Sequence, residues 1–151
     1  MKIYLDNCCY NRPFDDQSQQ RICDETNAIT SIINRAKING DIILSSDVLL
    51  FEIGEIQDSE KKAKIFSTLN KSAREKVSMN SKIFQRANEI VKVSNVKEMD
   101  ALHISSAEFG NADIFLTTGD KLIRACKNLD LNVRVLNPVY YLEEAIKNDE
   151  Y

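Results

Sequence analysis

Lys2-Ile3-Tyr4-Leu5-Asp6-Asn7 is the stretch that decides the fold. Three large apolar residues in a row, closed by an acid and a turn-forming Asn, read as a short buried strand with a carboxylate at its end. A charge in that place must find partners or a cation. Beyond it, Asn7 to Asp16 is polar and reads as a loop. A helix is predicted from Gln17 to Ile38, with Ile22, Ile29, Ile33 and Ala36 on one stripe and Gly40 as its stop. Asp41 to Ser45, rich in branched residues, predicts a second strand. Ser46 or Asp47 then caps a helix containing Val48 to Gln57.

Asp58 to Ser94 reads as helical throughout, as two helices broken near Ser78 to Ser81. Asn95-Val96-Lys97-Glu98 has the form of a capping box, an acceptor followed three residues later by Glu. It opens a helix carrying Ala101, Ile104, Ser105 and Ala107, which Gly110 ends. Asp113 to Thr118 is a third strand, Lys121 to Leu129 a helix, and Val133 to Leu136 a fourth strand. Pro138 suits the first turn of a closing helix through Ile146. Strands alternating with helices imply an α/β fold with a mostly parallel sheet of four or five strands, covered on both faces. No linker rich in Pro, Gly or Ser divides the chain, so residues 1–151 read as one domain.

A chain of 151 residues can bury roughly 70% of its unfolded surface. Its 43% hydrophobic and 28% charged content is ordinary for a globular protein. Apolar runs such as Val48 to Phe51 are too short to span a bilayer, and Met1 to Asp6 lacks the long apolar region of a secretory signal. Cys8, Cys9, Cys23 and Cys126 show no Cys-x-x-Cys spacing and read as reduced thiols of a cytoplasmic protein. The sequon Asn70-Lys71-Ser72 is then incidental. With His103 as its single histidine, the chain has no His-rich metal site. A net charge of −3 argues against a protein that coats nucleic acid, but not against an acidic nuclease site beside local basic patches.

In an open parallel sheet, ligands bind beyond the carboxyl ends of the strands at a topological switch point. That rule selects Asp6 at the end of the first strand, Asp120 just past the third, Glu52 in the helix after the second, and Asp100 early in the helix entering the third. Each has a plainer explanation. Asp120 can cap its helix, Asp100 can favour its helix dipole, Glu52 can be solvated, and Asp6 can serve a turn with Asn7. His103 lies one turn from Asp100, and a buried, hydrogen-bonded structural role suits it better than that of a general base. Arg12, Lys121 and Arg124 are candidates for phosphate contact, with plain surface charge as the alternative.

Taken together, these segments resemble the PIN-domain family, in which VapC-like ribonucleases fall. Ile3-Tyr4-Leu5-Asp6 resembles its opening strand and first acid, and Ser46 with Glu52 its second acidic motif. Asp100-Ala101-Leu102-His103-Ile104 with Ala107 resembles the third, and Leu116-Thr117-Thr118-Gly119-Asp120-Lys121 the fourth. Asn7 stands where many relatives have Ser or Thr, Cys8-Cys9 is unusual there, and Glu55 competes with Glu52 as second acid. Asp113 starts its strand, at the wrong end for the site, and reads as structural.

The resemblance implies Mg²⁺- or Mn²⁺-dependent cleavage of RNA, with Asp6, Asp100 and Asp120 as direct or water-mediated ligands. Glu52 would hold a second metal or orient the attacking water, and Thr118 would position Asp120 or the phosphate. Hard cations suit carboxylates, and a site without Cys or His disfavours zinc. The resemblance also implies an antitoxin partner. Ile65, Phe66, Leu69 and Ile83 add a homodimer or antitoxin surface if a surplus of them is exposed. The rival from another class is a PIN-like scaffold that has lost cleavage and acts through protein or RNA contacts. Asp-x-Asp and receiver-type acid patterns are absent, as are Walker-type and dinucleotide glycine loops.

Overall fold

The computed structural model describes residues 1–149. Its sheet holds five strands: β1 (Lys2–Leu5), β2 (Ile42–Ser46), β3 (Ala73–Val77), β4 (Ile114–Leu116) and β5 (Arg134–Leu136). All pairings are parallel and the order is β3-β2-β1-β4-β5. The helices are α1 (Asn7–Asn11), α2 (Gln20–Asn39), α3 (Asp47–Gly54), α4 (Ser59–Ser72), α5 (Ser81–Lys92), α6 (Glu98–Phe109), α7 (Asp120–Cys126) and α8 (Pro138–Asp149). The α/β fold expected from the alternation of strands and helices is the one observed.

Alternation along the strands divides the core in two. Ile3, Leu5, Ile43, Ile114 and Leu116 face one layer, where Ile29 and Ile32 of α2, Ile53 of α3, Ile65 and Leu69 of α4 and Tyr141 of α8 cover them. Tyr4, Leu44 and Phe115 face the other, under Ile83 and Ile90 of α5, Ala101 and Ile104 of α6 and Leu122 of α7. Small residues on α6 let that helix lie close to the sheet. Gly40 ends α2 at φ 76°, a left-handed conformation that glycine adopts without strain.

Four expectations need correction. Residues 73–77 are a strand, not helix. Arg74, Glu75 and Lys76 favour helix in isolation, yet they form the exposed part of an edge strand, where charge blocks pairing with another chain. Lys2 Nζ meets Glu75 at 2.9 Å and Lys76 Nζ meets Asp47 at 3.4 Å, which holds that strand in place. The polar segment after Asp6 is folded into α1 and a 3₁₀ turn over Arg12–Phe14, because Asp6 caps α1 by accepting from the Asn7 N–H. α2 starts at Gln20, three residues later than predicted. α6 starts at Glu98 behind Lys97, so Asn95 caps nothing. No helix of the described residues is long and apolar enough to cross a membrane.

Candidate metal centre at the switch point

From β1 the chain builds outward to β2 and β3, then returns to place β4 on the other side of β1. The strand order therefore reverses between β1 and β4, and the crevice at their carboxyl ends is the switch point. Asp6 follows β1 there, its N–H bonded to Leu116 O at 2.9 Å. Its side chain is buried: Oδ1 accepts from Asn7 N–H at 2.8 Å, and Oδ2 from the Thr117 hydroxyl at 2.9 Å. Thr117 Oγ1 in turn accepts from the Gly119 N–H at 3.2 Å, which leaves its own proton for Asp6. The Cys8 thiol approaches Asp6 Oδ2 at 3.5 Å.

Glu52, on α3, reaches this point through His103 of α6. His103 Nε2 is hydrogen-bonded to Glu52 Oε1 and lies 3.9 Å from Asp6 Oδ1. Asp6, Glu52 and His103 each present one ligand atom, all within 4.8 Å of one another. With bonds of about 2.1 Å, donors to one small cation lie roughly 3 to 4.2 Å apart, so modest side-chain movement brings the Asp6 and Glu52 carboxylates around it. Two carboxylates at this spacing suit a hard divalent cation, with His103 beside them as the partner of Glu52. The cluster also corrects an expectation: a histidine does stand among the acids, so the argument against zinc from lack of His no longer applies.

Asp100, in the first turn of α6, faces the same crevice, a cavity of about 320 Å³ lined by Asp6, Cys8, Asp100, Thr117, Thr118 and Lys121 among others. Burial holds its carboxyl above the ordinary aspartate range, and the negative charges of Asp6 and Glu52 push the same way. Asp6 and Glu52 thus meet beside His103, and Asp100 lines the cavity that Asp6 also lines.

Asp120 is not with them. It opens α7 exposed to solvent, and Arg21 of α2 grips it with two bonds of 2.7 and 2.8 Å. That contact holds the Asp120 carboxyl below its usual range. Arg21 also donates to Thr118 O at 3.1 Å and approaches buried Glu25 at 3.4 Å. Arg12 is spent on the same structure, bonded to Glu25 and Asp15. Thr118 is buried, and it is Thr117 whose hydroxyl serves an acid. Lys121 and Arg124 are exposed on α7, with Lys121 at the cavity rim. Glu55 is exposed at the end of α3, away from the cluster that includes Glu52. Asp113 accepts from Lys2 N–H at 2.7 Å at the start of β4, as its structural reading required. The four cysteines are free thiols. Ile65, Leu69 and Ile83 are buried and Phe66 packs on the core, so none of these four is free for a contact surface, while Phe84 and Val93 of the same stretch are exposed.

Residues the sequence reading passed over are Thr117, Tyr4, Ser46 as a network member, and Arg21. A signal existed for two of them. Tyr4 precedes Asp6 by two and so shares its face of the strand. Thr117 directly follows the last residue of β4, which pairs with Leu5.

The chain matches no protein-family model and no curated protein. Among solved structures it is similar to a chain in the crystal structure of VapBC2 from Rickettsia felis bound to a DNA fragment from their promoter. The TM-score is 0.58 at 14% identity, over 91% of this chain and 98% of that one. A likeness at that identity is one of fold. The class this defines is an α/β domain with a five-stranded parallel sheet, similar in fold to that chain.

Proposed function

We propose that this protein is a metal-dependent endoribonuclease of the VapC-like kind, and that an antitoxin protein is its partner. The observation that carries the reading is the meeting of Asp6 and Glu52 at the β1–β4 switch point, beside a cavity of about 320 Å³ that Asp6 and Asp100 line. The similarity in fold to a chain of a VapBC2 complex supports the class and the partner.

Asp6, Glu52 and Asp100 would hold Mg²⁺ or Mn²⁺. When bound, such a cation supplies charge stabilisation to a scissile phosphate and acidity to a water. The chain's own residues do the rest. Thr117 and the Asn7 N–H fix the Asp6 carboxylate beside the cavity. Lys121 at the rim provides a cation for an RNA phosphate. Asp120, as drawn into its pair with Arg21, contributes only if that pair opens. The same pair is the observation that favours a non-cleaving scaffold as the second reading.

The test is cleavage of single-stranded RNA by purified protein with Mn²⁺ or Mg²⁺, with and without EDTA. Cleavage should require the metal and vanish in Asp6→Asn and Glu52→Gln while both stay folded. A folded wild type that leaves RNA intact at saturating Mn²⁺ would favour the scaffold. Activity surviving in Asp6→Asn would point to another site.

A further inference from the structure

Glu52 projects from α3 with its side chain 28% exposed, and its carboxylate has one hydrogen-bond partner among the described residues, His103 Nε2. Behind His103 lies a chain of buried groups. Leu49 N–H donates to Ser46 Oγ at 3.0 Å, Ser46 Oγ lies 2.6 Å from the Tyr4 hydroxyl, and that hydroxyl lies 2.6 Å from His103 Nδ1. Tyr4, Ser46 and His103 are each fully buried. One arrangement of protons uses every donor: Ser46 donates to Tyr4, Tyr4 to Nδ1, and Nε2–H to Glu52. Reversing it turns Nδ1–H toward Tyr4 and Tyr4 toward Ser46, whose own proton is then left without an acceptor. The rings are also fixed. Tyr4 stacks on Phe115 at 5.3 Å and meets His103 edge-on at 5.7 Å.

We infer that His103, backed by Tyr4 and Ser46, is a positioning residue that holds the Glu52 carboxylate beside Asp6 through its Nε2–H. This rests on the reading above that Glu52 is one of the acids that hold the cation. A satisfied core histidine would have no need to lie beside the acids. His103 Nε2 lies 3.9 Å from Asp6, and its donor is directed to Glu52, whose carboxylate no backbone N–H restrains, whereas Asp6 accepts from the Asn7 N–H. Asp6 is fixed by α1 and Thr117; Glu52 is fixed by an imidazole.

Calorimetric titration of Mn²⁺ into wild type, Glu52→Gln, His103→Leu, His103→Gln, Tyr4→Phe and the double variant Glu52→Gln/His103→Leu tests this, with a thermal melt of each to establish folding. Losing such an outer partner should weaken Mn²⁺ binding by about ten- to a hundredfold in His103→Leu. His103→Gln keeps an N–H near the place of Nε2 and should recover most of the affinity. Tyr4→Phe should fall between them. In the Glu52→Gln background, His103→Leu should cost little more, because it acts through Glu52. Wild-type affinity in folded His103→Leu, or an equal loss in both backgrounds, overturns the inference while leaving Glu52 as a ligand. If Glu52→Gln binds Mn²⁺ as wild type does, the reading of Glu52 fails first and this inference falls with it.

Discussion

The Thr117 hydroxyl donates to Asp6 Oδ2 across 2.9 Å, joining the carboxyl ends of β1 and β4 where the strand order reverses. Both residues are buried, so the bond is made to a charge that water cannot readily satisfy instead. Thr117→Val keeps the shape and removes the donor. Hydrogen bonds to charged groups are worth about 1.5–3 kcal/mol, and the metal-free variant should lose that much in urea denaturation. A midpoint equal to wild type would mean that Asp6 finds another donor.

Asp100 is held protonated more readily in the folded chain than in the unfolded one. A carboxyl with a raised folded pKa subtracts stability once it ionises, and that cost fades as pH falls through the raised value. Metal-free Asp100→Asn should therefore be at least as stable as metal-free wild type at pH 7, with the difference closing in acid. At free Mn²⁺ about ten times the dissociation constant, wild type should gain about 1.4 kcal/mol and the variant much less. A variant that melts well below wild type in EDTA, with an equal response to Mn²⁺, would make Asp100 a structural residue.

Arg21 keeps the Asp120 carboxyl below its ordinary range. A depressed value adds stability above the unfolded pKa, near 3.9, which is lost as pH falls through the folded one. The pair is exposed, so the amount is small. Carbon-detected NMR titration of Asp120 should show its pKa rising toward the ordinary value in Arg21→Met. No movement would show that the pair does not persist in solution.

The charges on β3 guard an open sheet edge. Replacing Glu75 and Lys76 together by Val should increase concentration-dependent association in sedimentation velocity. Association unchanged from wild type would mean that another feature protects the edge.

Much of this was legible in the sequence for a physical reason. β1, β2 and β4 are buried on both faces and so read as apolar runs, and Gly40 and Pro138 mark helix ends that backbone geometry enforces. β3 was not legible, since its three exposed residues carry helix-favouring side chains and its identity comes from pairing with β2, a tertiary contact. The acids were found by their place relative to the strands, and that rule is blind to side-chain reach. It named Asp120, which sits at the right end but turns to Arg21, a residue ninety-nine positions earlier in sequence. It had no means of naming His103 as part of the cluster, because its partners Tyr4 and Glu52 come from two other elements.

Electron paramagnetic resonance of free Mn²⁺, titrated into protein freed of metal, tests without any substrate whether the carboxylates at the β1–β4 switch point form a divalent-cation site. Wild type should remove Mn²⁺ signal until its site is filled, and folded Asp6→Asn should leave most of that signal in place. A wild type that leaves the signal undiminished, or an Asp6→Asn protein that removes it equally, would contradict the account.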